Sequence, residues 1–165
     1  MTEAGMQKRI SDLADELGRK ALGAQVKIAT AESCTAGGIS WAITQVPGSS
    51  SWFDRGFVVY TARAKCEMLG VDPSLIEKHG VVSEQTARAM AIGALEHSEA
   101  ALSVSVTGIA GPGGAEPGKP VGTVCFGFAR KNGKVCSETV IFSGNRSEVR
   151  EQAVAHALTG LLQRL

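Results

Sequence analysis

Two short runs, Val26 to Ala29 and Ala101 to Val106, are nearly continuous in apolar character, a pattern that belongs to strands covered on both faces. Such strands require helices on either side of a sheet, and the rest of the chain supplies them. Ile10, Leu13, Ala14, Leu17, Ala21 and Leu22 recur at helical spacing and predict an opening amphipathic helix that ends near Gly23 and covers one face of the sheet. Val26 to Thr30 reads as the first strand and Ile39 to Val46 as the second helix. Pro47 to Ser51 then breaks the chain before Trp52 and Phe53, which either plug a core edge or wall a pocket for a planar ligand. Arg55 to Tyr60, rich in aromatic and β-branched residues, reads as the second strand. Thr61 to Leu69 reads as a helix, and a short helix follows Pro73 to His79. Ser83 caps another helix, built on Ala87, Met90, Ala91, Ala94 and Leu95. Val121 to Ala129 and Val135 to Phe142 pair through Arg130-Lys131-Asn132-Gly133, a strong hairpin signal, and the last helix runs on Val149, Ala153, Ala157, Leu158, Leu161 and Leu162. Mixed strands with helices between them predict an α/β chain: a three-layer α/β/α sandwich on a mixed, mostly parallel sheet, as one domain over residues 1–165.

Charge and cysteine usage narrow the function. Seventeen Lys and Arg against sixteen Asp and Glu leave a net charge of +1 with no basic cluster, which speaks against nucleic acid as a partner. Cys34, Cys66, Cys125 and Cys136 lie far apart without a Cys-x-x-Cys pair, so they read as reduced thiols rather than a disulfide framework or a zinc site. The first residues carry acids and lack an apolar signal core, and no run reaches membrane-spanning length. The expectation is a soluble cytoplasmic protein with no membrane partner.

Two stretches carry chemistry. Ala31-Glu32-Ser33-Cys34-Thr35-Ala36-Gly37-Gly38 places three hydroxyl or thiol side chains at a strand-to-helix corner. There the first-turn amides can hold a phosphate or a developing oxyanion. The same residues also suit a plain N-cap with close helix packing. The second stretch, Thr107 to Pro120, is dense in glycine and proline and reads as a shaped functional loop. Gly113 and Gly118-Lys119 nearly spell a phosphate-binding P-loop, but Pro120 replaces the magnesium-binding hydroxyl and a strand follows, which argues against an ATPase. The dinucleotide fingerprint is absent. Tyr60 and Lys65 are one residue too far apart to stack like a dehydrogenase Tyr-x-x-x-Lys pair. His79, His97 and His156 stand alone, without metal-ligand spacing, so a serine here has no histidine base.

Taken together, Ala31 to Gly37, Phe57-Val58-Val59-Tyr60 with Lys65, Gly80-Val81-Val82-Ser83, Gly108-Ile109-Ala110-Gly111-Pro112 with Lys119 to Val124, and Phe142-Ser143-Gly144-Asn145-Arg146 resemble the CinA C-terminal domain family, in order and over almost the whole chain. The resemblance implies the sandwich fold and a homo-oligomer, commonly a dimer. It also implies hydrolysis of the carboxamide of nicotinamide mononucleotide to nicotinic acid mononucleotide and ammonia, without metal or organic cofactor. The family's serine, tyrosine and lysine map onto Ser33, Tyr60 and Lys65. A desolvated lysine, acting directly or through Tyr60, can then replace the missing histidine base. Amides near Thr35 or after Thr107 would hold the oxyanion. Gly108, Gly111, Gly113 and Lys119 would cradle the nucleotide phosphate with Arg146 as a clamp, although Arg146 equally suits a surface pair. Glu32 would meet the pyridinium charge or accept first-turn N–H bonds. Gly38 departs from the larger apolar residue common at that position, and Cys34 is a rival nucleophile that Ser33→Ala and Cys34→Ser would discriminate. The alternative function is a non-catalytic nucleotide-binding or competence-associated module, which would tolerate Lys65→Met.

Overall fold

The computed structural model describes residues 1–165. In chain order it comprises α1 (Glu3–Ala24), β1 (Ile28–Glu32), α2 (Gly38–Thr44), a 3-10 turn at Ser49–Ser51, β2 (Phe53–Val58), α3 (Ala62–Leu69), α4 (Pro73–His79), α5 (Glu84–Glu96), β3 (Leu102–Gly108), β4 (Thr123–Arg130), β5 (Val135–Ile141) and α6 (Arg146–Leu162). The five strands form one sheet in the order β2-β1-β3-β4-β5. β1 pairs parallel with both β2 and β3, while β4 runs antiparallel to β3 and β5. Four strands therefore point one way and only β4 is reversed, which makes the sheet mixed and mostly parallel.

The two faces of the sheet are built differently. Ile28, Leu102, Val104, Val106, Val124, Phe126 and Phe128 face α1, α2 and α6 in a core of 25 buried residues. α1 lies against α6 and α2 rather than directly along a strand, and its Gly18 leaves room for the Trp52 indole. Trp52 thus belongs to the core. The opposite face carries small residues, Ala29, Ala31, Ser103, Ser105 and Gly127, and there α5 comes close enough for Ser103 and Ser105 hydroxyls to donate to the Ala91 and Ala87 carbonyls. A Cβ on Gly127 would collide with the Ala87 carbonyl, so the close approach of α5 depends on that glycine. α3 and α4 complete this second helical layer.

The strand boundaries move at the site. β1 starts and ends two residues later than the expected strand, Val26 to Thr30, and continues to Glu32, which is fully buried although charged. β2 shifts the other way, beginning at Phe53 and ending at Val58, two residues earlier than expected, which puts Tyr60 just beyond it. The result brings several elements to one end of the sheet. The carboxyl ends of β1, β2, β3 and β5, the start of β4 and the N-termini of α3, α5 and α6 meet there, where open α/β sheets bind ligands.

Candidate active site

Ser33 follows β1 directly, and its backbone N–H extends the β1–β3 ladder to the Val106 carbonyl at 3.0 Å. The chain then turns sharply: Ala36 N–H closes on the Ser33 carbonyl at 3.0 Å, and Ala36 (φ 48°) and Gly37 (φ 93°) both adopt the left-handed region. Ala36 is disfavoured there, so its surroundings must hold it. Glu32 is the support on one side. Its buried carboxylate accepts from the Thr35 hydroxyl (2.7 Å), the Ile39 and Ser40 amides (2.8 and 3.0 Å), the Ser40 hydroxyl (2.7 Å) and the Thr30 hydroxyl (3.4 Å). The first-turn amides expected to hold an oxyanion are therefore occupied by Glu32, and Thr35 spends its hydroxyl on the same carboxylate.

Lys65 reaches Ser33 from the second helical layer. Thr61 caps α3, whose two buried residues, Lys65 and Leu69, lie one turn apart and point inward. Lys65 is 1% exposed, and its Nζ lies 3.0 Å from Ser33 Oγ, 3.0 Å from the Val59 carbonyl and 3.1 Å from the Tyr60 carbonyl. All three acceptors are neutral, and none of the six ion pairs in the chain includes this lysine. Burial pushes it down to about 8, against a weak opposing pull from Cys34 and Cys66. Burial also pushes the adjacent Cys34 thiol up to about 11, which disfavours its thiolate at neutral pH.

Tyr60 takes a different part from the one its position suggests. Its backbone carbonyl binds Lys65, while its exposed phenol accepts from an Arg146 Nη at 3.1 Å. No proton path from Lys65 to Ser33 needs the phenol, because the two side chains meet directly. Arg146 also donates to the Gly111 carbonyl at 2.8 Å and so ties the glycine loop to the rim.

These groups surround one cleft of about 290 Å³, lined by Ser33, Cys34, Tyr60, Ala62, Lys65, Val81, Val82, Thr107, Gly108, Ala110 and Arg146. Six further expected binding positions distribute as follows. Thr107 and Gly108 line the cleft, with the Thr107 hydroxyl held on the Val81 carbonyl at 2.9 Å, and Gly111 touches it only through Arg146. Lys119 instead faces the neighbouring cavity with His79 and Ser83, where it reaches the His79 carbonyl at 3.4 Å, and Gly113 lies exposed outside the lining. Thr35 opens onto a separate small cavity beside Trp41 and Arg150. The sequence reading passed over Arg150 altogether, although its spacing of one helical turn from Arg146 places both on the same face of α6.

A three-layer α/β/α fold with a buried lysine on a serine at the carboxyl end of the central strands defines a class of Ser–Lys sites suited to acyl chemistry. The comparisons fix the family. A model of the CinA C-terminal domain matches residues 10–165, and the chain belongs to that family. It is 48% identical over 157 residues to the nicotinamide-nucleotide amidohydrolase PncC of Enterobacter agglomerans, spanning 95% of this chain and 96% of the relative. It is 45% identical over 154 residues to the PncC of Escherichia coli K12, 93% of each. A crystal structure of the competence/damage inducible protein CihA from Agrobacterium tumefaciens superposes with a TM-score of 0.91 at 43% identity, covering 94% of both chains.

Proposed function

We propose that the chain is an amidase that hydrolyses the carboxamide of nicotinamide mononucleotide to nicotinic acid mononucleotide and ammonia, with Ser33 as nucleophile and Lys65 as its base. The observation that carries the reading is the buried Lys65 Nζ at 3.0 Å from Ser33 Oγ, inside a cleft and without a counter-ion. The identity to amidohydrolases over almost the full chain supports the substrate.

With its pKa near 8, about a tenth of Lys65 is neutral at pH 7. The neutral amine takes the Ser33 proton as Oγ attacks the amide carbon. The Cys34 and Thr35 amides, which have no acceptor within the chain, supply the oxyanion donors in place of the helix amides that Glu32 occupies. Collapse of the tetrahedral species breaks the C–N bond, and the Lys65 ammonium protonates the departing nitrogen as ammonia. Lys65 then takes a proton from water, whose oxygen attacks the acyl-serine and frees the acid. Arg146 and the Tyr60 phenol stand at the rim, where a cation and a hydroxyl suit the phosphoribosyl part of the substrate. Thr107 and Gly108 form the opposite wall.

The protein acts as a homo-oligomer in the cytoplasm under this proposal. Exposed Trp41, Val58 and Tyr60 beside the open edge of β2 favour self-association, and four free cysteines suit a reducing compartment. The deciding experiment is ammonia release from nicotinamide mononucleotide, with Ser33→Ala and free nicotinamide in parallel. Release that needs both Ser33 and the phosphoribosyl group supports the proposal; a folded protein that binds the nucleotide without releasing ammonia overturns it in favour of a binding module.

A further inference from the structure

The turn that carries Ser33 has Glu32 beneath it and a second support on its outer side. Arg150, half-buried on α6, donates from Nε to the Cys34 carbonyl at 2.9 Å and from an Nη to the Thr35 carbonyl at 3.4 Å. It has no carboxylate partner, and its hydrogen bonds go to those two successive carbonyls. We propose that Arg150 is a positioning residue for the amidase reaction, which orients and polarises the peptide units beside Ser33 so that the turn presents its oxyanion donors. This rests on the amidase reading above.

Peptide geometry carries the argument. In a planar trans peptide the C=O and the following N–H point in opposite directions. A guanidinium that holds the Cys34 carbonyl therefore turns the Thr35 N–H away from itself, and that N–H has no acceptor within the chain. The fork donates to adjacent carbonyls at once, which a lysine's single point of charge cannot reproduce. A cation on a carbonyl oxygen also withdraws electron density from the amide and strengthens its N–H as a donor. The left-handed Ala36 adds a reason for the clamp, since a turn held against its own preference relaxes when a support is removed. Arg146 one turn earlier grips Gly111 and Tyr60, so the first two turns of α6 set both the rim and the nucleophile turn.

The test compares wild type, Arg150→Ala and Arg150→Lys in ammonia release from nicotinamide mononucleotide, in thermal midpoint, and in the rate at which a fluorophosphonate probe labels Ser33. The probe forms an Oγ–P bond and expels fluoride through a trigonal-bipyramidal oxyanion, and so reports on the turn independently of the substrate. A displaced reacting group costs up to about a hundred-fold in rate. For Arg150→Ala we expect kcat and labelling to fall together by ten- to hundred-fold with KM within threefold, Arg150→Lys to fall between, and guanidinium below denaturing concentration to restore part of the Arg150→Ala rate. The proposal is overturned if kcat and labelling stay within threefold of wild type, if the loss lies in KM, or if activity merely follows the folded fraction. Wild-type protein that labels without releasing ammonia refutes the substrate reading and leaves Arg150 to be judged on labelling alone. Wild-type protein that does neither refutes both.

Discussion

Glu32 and Lys65 flank the same serine, and both are charges withdrawn almost completely from water, at 0% and 1% exposure. Glu32 sits among five donors, two of them helix amides that only the folded chain can supply. Lys65 has three acceptors, each neutral, and no carboxylate. Burial costs both groups solvation, but oriented dipoles offset it far more fully for the carboxylate than for the ammonium. Under the proposed function, the difference separates a scaffold charge from a reactive one. A saturated carboxylate locks the turn, whereas an under-supported ammonium is poised to give up its proton near neutrality.

Removing each charge should therefore have opposite consequences. Lys65→Met is expected to lower ammonia release by about a thousand-fold, the scale of a lost general base. Its thermal midpoint should hold or rise, because a displacement from 10.5 to about 8 represents about 3 kcal/mol of penalty. The Val59 carbonyl, left without a donor, offsets part of that relief, while the Tyr60 carbonyl keeps the Ser33 hydroxyl. Glu32→Ala should instead lower stability by about 3–5 kcal/mol, which a denaturant or calorimetric midpoint would reveal as a fall of order 10 °C. Equal destabilisation by the two variants would break the distinction.

The pH dependence sharpens the same contrast. If Lys65 is the base, the rate at low substrate should rise tenfold per pH unit and level off above about pH 8. Its folded pKa lies below its unfolded value, so the unfolded chain binds more protons between about 8 and the ordinary 10.5. Lys65's contribution to stability should therefore climb with pH across that window and stay flat below it, an increase that Lys65→Met abolishes. The smallest effect concerns Cys34. With its thiol near 11, iodoacetamide at pH 8 should modify Cys66 and Cys136 first, and mass spectrometry should find Cys34 intact while activity persists.

The layers of this fold were legible because burial writes itself into apolar periodicity: α5 and α6, the Asn132-Gly133 hairpin and the Ser83 cap all stand where their residues predict. The site was legible in part. Ser33, Lys65, Thr107, Gly108 and Arg146 converge, but Thr35 and Lys119 face other cavities, since loop residues give no periodicity from which to read direction. β1 was ended too early, at Thr30, because a buried Glu32 looks like a surface residue until the donors around it are known. Arg150 gave only one signal, its spacing from Arg146, and its partners are carbonyls, which every residue carries.

The clamp on the nucleophile turn joins residues 116 positions apart. During biosynthesis the parallel part of the sheet and the Ser33–Lys65 pair emerge long before α6 does, and contacts of such separation form late. A chain still lacking α6 would lack both this clamp and the α6 residues of the main core, so under the Arg150 proposal the same final helix completes the fold and the nucleophile turn together.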